Sequence, residues 1–487
     1  AMPPVVRAAR AVFPEDVVVS DLRGDVAGIV SRVGGQSDEE ESDLESDDNM
    51  ELEEGSATVR WLASGKPEVE KVGSLRVVDR AFVQGDIVMP GSGVQAQSGT
   101  VVGISLALDL RLHTGEVRQF VPSPLLAHIK PWRPGTYAVH GGWLGRVEEC
   151  LENVVIKYGD GAECKLVRVH ADDVTAVLES FDEHNPFFPS QLVKARASVL
   201  RRGKWLSGRF RRQYVDQIAV VSSVAPCRVA MRWIATQQGG EVLRNDAPQP
   251  QPPEFVKPAE LQPLAVFMDN WWQVGDRGYG GPDLLGWTDE VREASARLRA
   301  QADDEPWTPG PPQPATAATL TGALPAQQRP RRLRGSTANC VEVVRTHTLV
   351  DVHWQDGRVQ RSLRATALVP AYHLGANDFW PEEFVLQKAD DPLFLQPASE
   401  ADVHSGSAPR LGVIKWLDSK SRTLGVRWAD PADANQPHSR TLSPGLPLPD
   451  SSSGAIEAVS VFDVLPHPDF KIRCGDVVLR LAIGGVA

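Results

Sequence analysis

The sequence lacks the features that most often mark a metal, phosphate or nucleophilic site. Its 5 cysteines are widely spaced and never form a Cys-x-x-Cys pair, which argues against a disulfide framework and against zinc. Its 11 histidines show no metal-binding spacing, so no metal is expected. Glycine-rich phosphate loops, dinucleotide-binding fingerprints and Gly-x-Ser-x-Gly motifs are absent too. We therefore expect no cofactor, and these absences argue against a self-contained enzyme.

Long hydrophobic runs are also missing. No stretch approaches the roughly 20 apolar residues that cross a bilayer, and the first residues contain no apolar core of the signal-peptide type. The chain is therefore expected to be intracellular, without a membrane partner. At 487 residues it is too long for one ordinary core and predicts roughly three to six domains.

Basic residues are missing from one stretch, residues 38–54, which holds 11 acidic residues. Without it, 52 acidic residues face 51 basic ones, so the net charge of −12 comes almost entirely from this stretch. Such a run repels itself and buries no core, which predicts a solvated loop. The alternative is an acidic contact for basic partners, strengthened by phosphorylation at Ser42 or Ser46. The candidate contact residues are Asp38, Glu39, Glu40, Glu41, Asp43, Glu45, Asp47 and Asp48.

What the sequence does contain is a repeated strand pattern. Residues 350–357 alternate apolar side chains up to Trp354 and then reach Asp356-Gly357, which predicts a hairpin with a type I′ turn. The same pattern recurs in six copies, which end at Trp61, Leu112, Tyr158, Trp233, Trp354 and Trp428. Five copies have an upstream Gly-x-apolar strand start, at Gly28, Gly99, Gly145, Gly208 and Gly412. We assign each glycine to the barrel of the aromatic strand that follows it.

Extended apolar strands open most copies, at 14–19, 85–89, 134–139, 189–194, 381–386 and 474–481. Units of about 50 to 60 residues built this way fit small SH3-like (Tudor-like) barrels and are too short for immunoglobulin sandwiches. The predicted fold class is all-β, with tandem SH3-like barrels and a Pro-rich, partly helical connector.

The spacing of the copies predicts the domain boundaries. The predicted barrels span 12–84, with the acidic loop at 35–55, and then 85–133, 134–188, 189–245, 334–380 and 381–487, the last with the start of a further module. Residues 246–333 form the connector, with one helix at 288–302 and a Trp-rich part expected to pack on a neighbouring module.

Several segments resemble one family in order along the chain. They are WLGRVEE (143–149), VVIKYGDGAECKL (154–166), KWLSGRF (204–210), the stretch at 350–385 and VFDVLPHPDFKIRCGDVVLRL (461–481). They resemble the N-terminal conserved regions of the large hybrid ubiquitin-conjugating enzyme and ligase of the E2 O type. The resemblance implies a substrate-recognition role, upstream of a catalytic ubiquitin-conjugating domain.

We expect this chain to lack the catalytic domain of the whole enzyme of that family. That domain needs a His-Pro-Asn tripeptide followed by a thioester-forming cysteine. Here the nearest match is His467-Pro468-Asp469 with Cys474, and an ionised aspartate cannot donate as asparagine does. No catalytic residue is therefore predicted, and ubiquitin is a partner only through the missing domain.

A second candidate surface is basic. Residues 194–212 hold 8 basic residues and no acidic ones, with Trp205 and Phe210 interleaved, which predicts a positively charged strand pair. A solvated face, a groove for single-stranded nucleic acid, and contact with an acidic partner or with residues 38–54 all remain open. The candidate binding residues here are Arg201, Arg202, Lys204, Trp205, Arg211 and Arg212.

Tryptophans give a third set of candidates. Trp61, Trp233, Trp354 and Trp428 are in phase with core aliphatic residues, so core packing is favoured over a methyl-lysine cage. Trp143 and Trp205, beside glycines, are better surface candidates.

The sequence thus predicts a non-catalytic region that presents several barrels to client proteins. The resemblance implies clients with basic and apolar patches, including adaptor or histone-chaperone-like proteins. The alternative is a tandem Tudor-like reader of chromatin or RNA, although nucleic acid is the less favoured partner. The expected location is cytoplasm and nucleus, with RPRRLR (329–334) either a nuclear localisation signal or a linker.

Overall fold

The structure is a computed structural model. It describes residues 11–35, 52–91, 97–129, 131–169, 173–177, 187–236, 250–264, 270–303, 339–371, 375, 378–388, 410–429, 455–468 and 476. Antiparallel strands dominate these ranges, and the all-β class with SH3-like domains is confirmed. The helices within them are α1 (Ala197–Arg202), α2 (Pro282–Gly286) and α3 (Asp289–Asp303). The predicted connector helix is α3, with Asp289 and Glu290 in its first turn, where the helix dipole favours acidic residues.

The strands are short except for four long ones, β7, β11, β16 and β20. In chain order they are β1 (Val17–Ser20), β2 (Gly24–Val33), β3 (Ser56–Trp61), β4 (Pro67–Lys71), β5 (Leu75–Asp79), β6 (Ile87–Pro90), β7 (Gly99–Leu112), β8 (Val117–Pro122), β9 (Leu126–His128), β10 (Tyr137–His140), β11 (Trp143–Lys157), β12 (Glu163–Val169), β13 (Val174–Ala176), β14 (Leu192–Ala195), β15 (Lys204–Ser207), β16 (Ala219–Thr236), β17 (Phe255–Val256), β18 (Gln262–Pro263), β19 (Arg277–Gly280), β20 (Cys340–Trp354), β21 (Val359–Arg364), β22 (Leu368–Pro370), β23 (Phe384–Gln387), β24 (Leu411–Asp418), β25 (Thr423–Trp428), β26 (Ile456–Ser460) and β27 (Val464–Pro466).

One five-strand order repeats throughout the described part of the chain. In barrel 1 it is β5-β1-β2-β3-β4, and in barrel 6 it is β27-β23-β24-β25-β26. The other four barrels have the same order but draw on distant segments. Barrel 2 is β22-β6-β7-β20-β21, barrel 3 is β18-β10-β11-β16-β17, barrel 4 is β13-β14-β16-β11-β12 and barrel 5 is β9-β19-β20-β7-β8. Each barrel surrounds its own cluster of buried apolar residues.

Each barrel opens with the same turn. One residue takes a positive φ, and its N–H donates to a carbonyl of the second strand, as in Glu15 to Val30 at 2.8 Å. That second-strand residue then donates back to the carbonyl after the turn residue, as in Val30 to Asp16 at 3.0 Å. The turn residues are Glu15, Gly85, Gly135, Ser190, Gly275 and Glu382. The left-handed conformation favours glycine, yet three of these turn residues, Glu15, Ser190 and Glu382, are not glycine. The two hydrogen bonds therefore hold the backbone in this conformation.

The long strands pass through two barrels each. β7 pairs with β20 from Gly99↔Trp354 to Leu112↔Val341, and β11 pairs with β16 from Trp143↔Thr236 to Lys157↔Val220. Gly99 therefore lies in barrel 2 while Leu112 lies in barrel 5, because 13 residues of extended chain span about 43 Å. Our assignment of each glycine to the next aromatic strand is wrong here: Gly99 faces Trp354, and Gly145 faces Trp233. Gly28 and Trp61, and Gly412 and Trp428, pair as expected.

The strand pairing does not follow the predicted domain boundaries. Segments 85–133 and 334–380 were assigned to separate barrels, yet their strands share one sheet. Barrels 3 and 4, formed from residues 131–264, lie in sequence between the two parts of that sheet. The predicted connector also contributes strands, β17 and β18 to barrel 3 and β19 to barrel 5. The Trp-rich part packs as expected, since Trp272 is buried in the core of barrel 5.

Two local predictions are wrong. Gly357 has a positive φ, but Asp356 does not, so the turn is not type I′. Trp354 N–H instead bonds to Arg358 O at 2.8 Å and Gly357 N–H to Trp354 O at 2.9 Å, the pattern of a three-residue hairpin loop with its glycine in the left-handed position. Gly208 starts no strand either; it follows β15 with φ of 79°.

Polar contacts hold neighbouring barrels together. Arg80, at the end of barrel 1, pairs with buried Asp16 at 2.7 Å and also donates to the carbonyl of Leu368 in barrel 2. Burial raises the pKa of Asp16 above its usual range, and the Arg80 guanidinium opposes that shift. Barrel 2 also contacts barrel 6: the Gln355 amide donates to Phe379 O at 3.0 Å in the segment that opens barrel 6.

Candidate protein-binding surfaces

The strands on either side of the acidic stretch are neighbours in barrel 1. β2 and β3, which flank it, pair directly, and Gly34 N–H donates to Ser56 O at 2.8 Å. The prediction that this stretch is inserted between two strands is therefore confirmed. Its eight candidate contact residues, from Asp38 to Asp48, lie outside the described residues. The two ends of the stretch therefore join barrel 1 side by side, at the paired ends of β2 and β3.

The basic segment is a helix followed by a strand, so the predicted strand pair is wrong. α1 ends at Arg202, β15 runs from Lys204 to Ser207, and a 3-10 turn begins at Arg212. The helix forms because Val199 and Leu200 are buried in the core of barrel 4, leaving Arg201 and Arg202 exposed. β15 pairs with β12, which places Lys204 directly opposite Lys165.

The aromatic residues of this segment pack on one another. The Trp205 ring stacks at 5.3 Å on Tyr214 and meets Phe210 edge-on at 6.4 Å, measured between ring centroids. Its indole N–H donates to Leu200 O at 3.1 Å. Trp205 is half-buried, so part of its side chain remains accessible to solvent. Sequence reasoning missed Tyr214, which is buried and joins this cluster from 9 residues further along the chain.

Two acidic groups neutralise part of the segment. Arg202 pairs with Asp173 Oδ2 at 2.9 Å, and Arg211 lies 4.0 Å from Asp160 Oδ2. The Tyr214 hydroxyl donates to the same Asp160 oxygen at 2.6 Å. This bond lowers the pKa of Asp160, and the same contact raises the pKa of Tyr214. Arg201 lies over the Phe210 ring, with Cζ at 5.7 Å from the centroid.

The tryptophans of the repeat serve as core anchors. Trp61 and Trp354 are buried, and Trp233 and Trp428 pack on the cores of barrels 3 and 6 while partly exposed. The favoured interpretation, core packing over an aromatic cage, fits all four positions. Trp143 lies at the start of β11, half-buried, on a different barrel from Trp205, so the two surface candidates do not form one site.

The described residues show no arrangement suited to nucleophilic or metal chemistry. They contain no cluster of His, Cys, Asp and Glu that could hold a metal. Burial raises the pKa of both Cys164 and Cys340 to about 11, which makes their thiols poor nucleophiles. Asp469 and Cys474 lie outside the described residues. None of the helices described is long and apolar enough to cross a membrane.

The repeated strand order and the separate cores define a protein built from tandem SH3-like β-barrels. Family profiles agree with this class: "UBE2O, tandem tSH3-B domain" matches residues 134–269 and "UBE2O, SH3-B domain" matches residues 376–469. The first covers the strands of barrels 3 and 4, and the second covers those of barrel 6. The two profiles thus match SH3-like domains described for UBE2O, and the resemblance expected from the sequence is confirmed.

Two plant proteins are similar along nearly the whole chain. "Probable ubiquitin-conjugating enzyme E2 23" of Arabidopsis thaliana is 28% identical over 491 residues, which cover 90% of this chain and 42% of that protein. "Probable ubiquitin-conjugating enzyme E2 24" of the same plant is 24% identical over 445 residues, covering 89% of this chain and 43% of that protein. The chain thus spans less than half the length of these relatives.

One structural element escaped sequence reasoning although its signal was present. Barrel 5 opens at Gly275, where Gln273-Val274-Gly275-Asp276 repeats the Gly-Asp turn that opens barrel 2 at residues 85–86. Asp276 caps the turn by accepting from Gln273 N–H at 3.0 Å, as Asp86 does from Val83 N–H at 2.7 Å. The surrounding tryptophans and glycines obscured this match.

Proposed function

We propose that the chain is the non-catalytic, client-binding region of a ubiquitin-conjugating enzyme of the E2 O type. It presents a composite surface of six barrels to other proteins. The observation that carries the proposal is the contact between barrels: barrels 2 and 5 share β7 and β20, barrels 3 and 4 share β11 and β16, and hydrogen bonds join barrel 2 to barrels 1 and 6. A pre-organised surface loses little entropy on binding, which suits a recognition region.

In this proposal the acidic stretch is the contact for client proteins with basic and apolar patches. The strands on either side of it, β2 and β3, pair directly, so an acidic contact at this point would leave the core of barrel 1 intact. The attraction between opposite charges raises the association rate and falls as salt screens it. Binding of clients should therefore weaken as the ionic strength increases.

The test is the affinity for a fluorescent peptide that alternates lysine or arginine with leucine. One variant replaces the eight acidic residues Asp38, Glu39, Glu40, Glu41, Asp43, Glu45, Asp47 and Asp48 by their amides. A matched control replaces eight exposed acidic residues elsewhere: Asp21, Glu148, Glu149, Asp216, Glu254, Asp283, Glu290 and Glu293. We expect the dissociation constant to rise at least about tenfold in the first variant only. Equal affinities in both variants would remove the acidic stretch from the proposal.

The non-catalytic part is tested separately. Incubated with ubiquitin, ATP and an activating enzyme, the chain should form no thioester that a reducing agent releases. A reducible ubiquitin adduct on Cys474 would show that this region acts as an enzyme, whatever it binds.

A further inference from the structure

Barrel 4 carries two lysines that repel each other. Lys165 of β12 and Lys204 of β15 lie directly opposite on adjacent strands. The neighbouring Cys164 and Leu166 are buried in the core, so both lysines face outward. Like charges in this position destabilise a sheet, and neither lysine has an ion-pair partner among the described residues. Folding alone gives no reason for this pair.

More unpaired charge follows β15 directly. Arg209 and Arg212 are exposed and, within the described ranges, form no ion pair. Two acidic groups nearby are already engaged: Asp160 by Tyr214 and Arg211, and Glu163 by Lys157 at 3.1 Å. Among the described residues the surface therefore keeps an excess of positive charge, which an acidic partner would neutralise.

Apolar side chains lie among these charges. Leu206 is 51% exposed and alternates with Trp205 along β15, so it shares the outward face with Lys204. Val167, 52% exposed, shares the outward face of β12 with Lys165. Lys165, Val167, Lys204, Leu206, Arg209 and Arg212 together form what we call the barrel-4 basic surface.

The aromatic packing favours a protein over a nucleic acid as the partner. Single-stranded nucleic acids bind by stacking bases on exposed aromatic faces next to basic groups. Here Trp205 stacks on Tyr214, Tyr214 is buried, and Phe210 is covered by Arg201. Exposed leucine and valine add contact area for apolar side chains, which a phosphate backbone does not supply.

We propose that the barrel-4 basic surface binds an acidic protein segment with leucine or similar apolar residues between its acidic ones. The carboxylates would pair with the two lysines and the two arginines, and the apolar residues would cover Leu206 and Val167. This site lies on a different barrel from the acidic stretch and has the opposite charge. It does not depend on the proposed role in ubiquitination.

The experiment titrates the full chain into a labelled peptide, Glu-Glu-Leu-Asp-Glu-Leu-Glu-Glu, at low ionic strength. The test variant is Lys165→Gln with Lys204→Gln. The control is Arg228→Gln with Arg232→Gln, which removes the same charge from exposed positions of β16 in barrel 3. We expect the dissociation constant to rise about tenfold in the test variant and to stay within about twofold in the control. Replacing both leucines of the peptide by serine should also weaken binding.

Other results overturn the proposal. Absence of peptide binding, or equal loss in both variants, would show that the surface is only solvated. Tighter binding of a single-stranded oligonucleotide than of the peptide, lost in the same lysine variant, would assign the surface to nucleic acid instead.

A stability measurement checks that the test variant remains folded. Removing the like-charge pair should raise the melting temperature by about 1–2 °C at low salt, with a smaller rise at high salt. A lower melting temperature would contradict the repulsion on which the inference rests.

Discussion

His353 is a buried histidine at the boundary between barrels 2 and 6. It lies on β20, 5% exposed, next to the turn at Gly357, with Glu382 and Lys415 of barrel 6 nearby. Burial lowers its pKa below the ordinary value of 6.5, and this outweighs the attraction of Glu382 for the charged ring. The folded protein therefore holds this ring neutral at a pH where the unfolded chain protonates it.

The consequence is a loss of stability in mild acid. As the pH falls below 6.5, the unfolded state binds a proton at this position that the folded state does not, so the free energy of unfolding decreases. His353→Gln should remove this contribution. Melting temperatures at about pH 7.5 and about pH 5.5 should show a larger decrease for the native chain than for the variant. Equal decreases in melting temperature for the two proteins would contradict the burial of His353.

For single residues, the alternation of apolar and polar side chains along a strand predicted which side chains are buried. Strand alternation placed Trp61 and Trp354 in the core, and the structure has them buried there. Alternation contains no information about side-chain partners from other elements. It therefore did not reveal that Tyr214 and Phe210 cover Trp205, or that Lys165 faces Lys204.

Four barrels share one pair of residues, a glycine that faces a tryptophan on the adjacent strand. A Cβ added at Gly28 would lie 2.6 Å from Val59 Cγ1 and 2.8 Å from Trp61 Cε3. Gly99, Gly145 and Gly412 face Trp354, Trp233 and Trp428 in the same way. The glycine thus makes room for the indole that fills the barrel.

Gly28→Ala should therefore destabilise barrel 1. We expect a loss of about 1–3 kcal/mol, since the core has no space for the methyl group. Gly73→Ala is the control, because its added Cβ has no atom within 4 Å and its backbone is not left-handed. Denaturant unfolding of both variants gives the comparison. If Gly28→Ala left the free energy of unfolding unchanged, the Trp61 indole would have to move aside easily.

Strand pairing across the long elements could not be predicted from the sequence. The alternation of β7 is the same whether its two ends close one barrel or two. Its partner β20 begins 228 residues after the end of β7. The local pattern of side chains therefore predicted the number and type of the barrels. It could not predict which strands two barrels share, because this depends on contacts between distant segments.

For the whole molecule, the sharing of long strands between barrels determines which fragments can fold alone. Residues 129–264 contain every strand of barrels 3 and 4, whereas residues 82–129 contain only parts of barrels 2 and 5. We expect the first fragment to unfold cooperatively by circular dichroism. The second should be unfolded alone and gain β structure when mixed with residues 270–371. An independently folded 82–129 fragment would restore the predicted boundary at 85–133.

Opposite charges lie on different barrels of this assembly, the acidic stretch on barrel 1 and the basic surface on barrel 4. Barrel 1 contacts barrel 2 through Arg80, barrels 2 and 5 share two strands, and Tyr279 and Cys340 of barrel 5 pack in the core cluster of barrel 4. The two surfaces are therefore presented by one series of contacting barrels. Such an arrangement suits simultaneous contact with partners of opposite charge, which follows if both proposals hold.

Hydrogen exchange with and without the lysine/arginine-leucine peptide is the most direct test of client binding by the acidic stretch. The account predicts slower exchange in residues 36–54 and in the flanking hairpin, where Gly34 bonds to Ser56. Barrel 4 should show no change. Unchanged exchange in this region, or protection confined to other barrels, would contradict the proposal that the acidic stretch recognises clients.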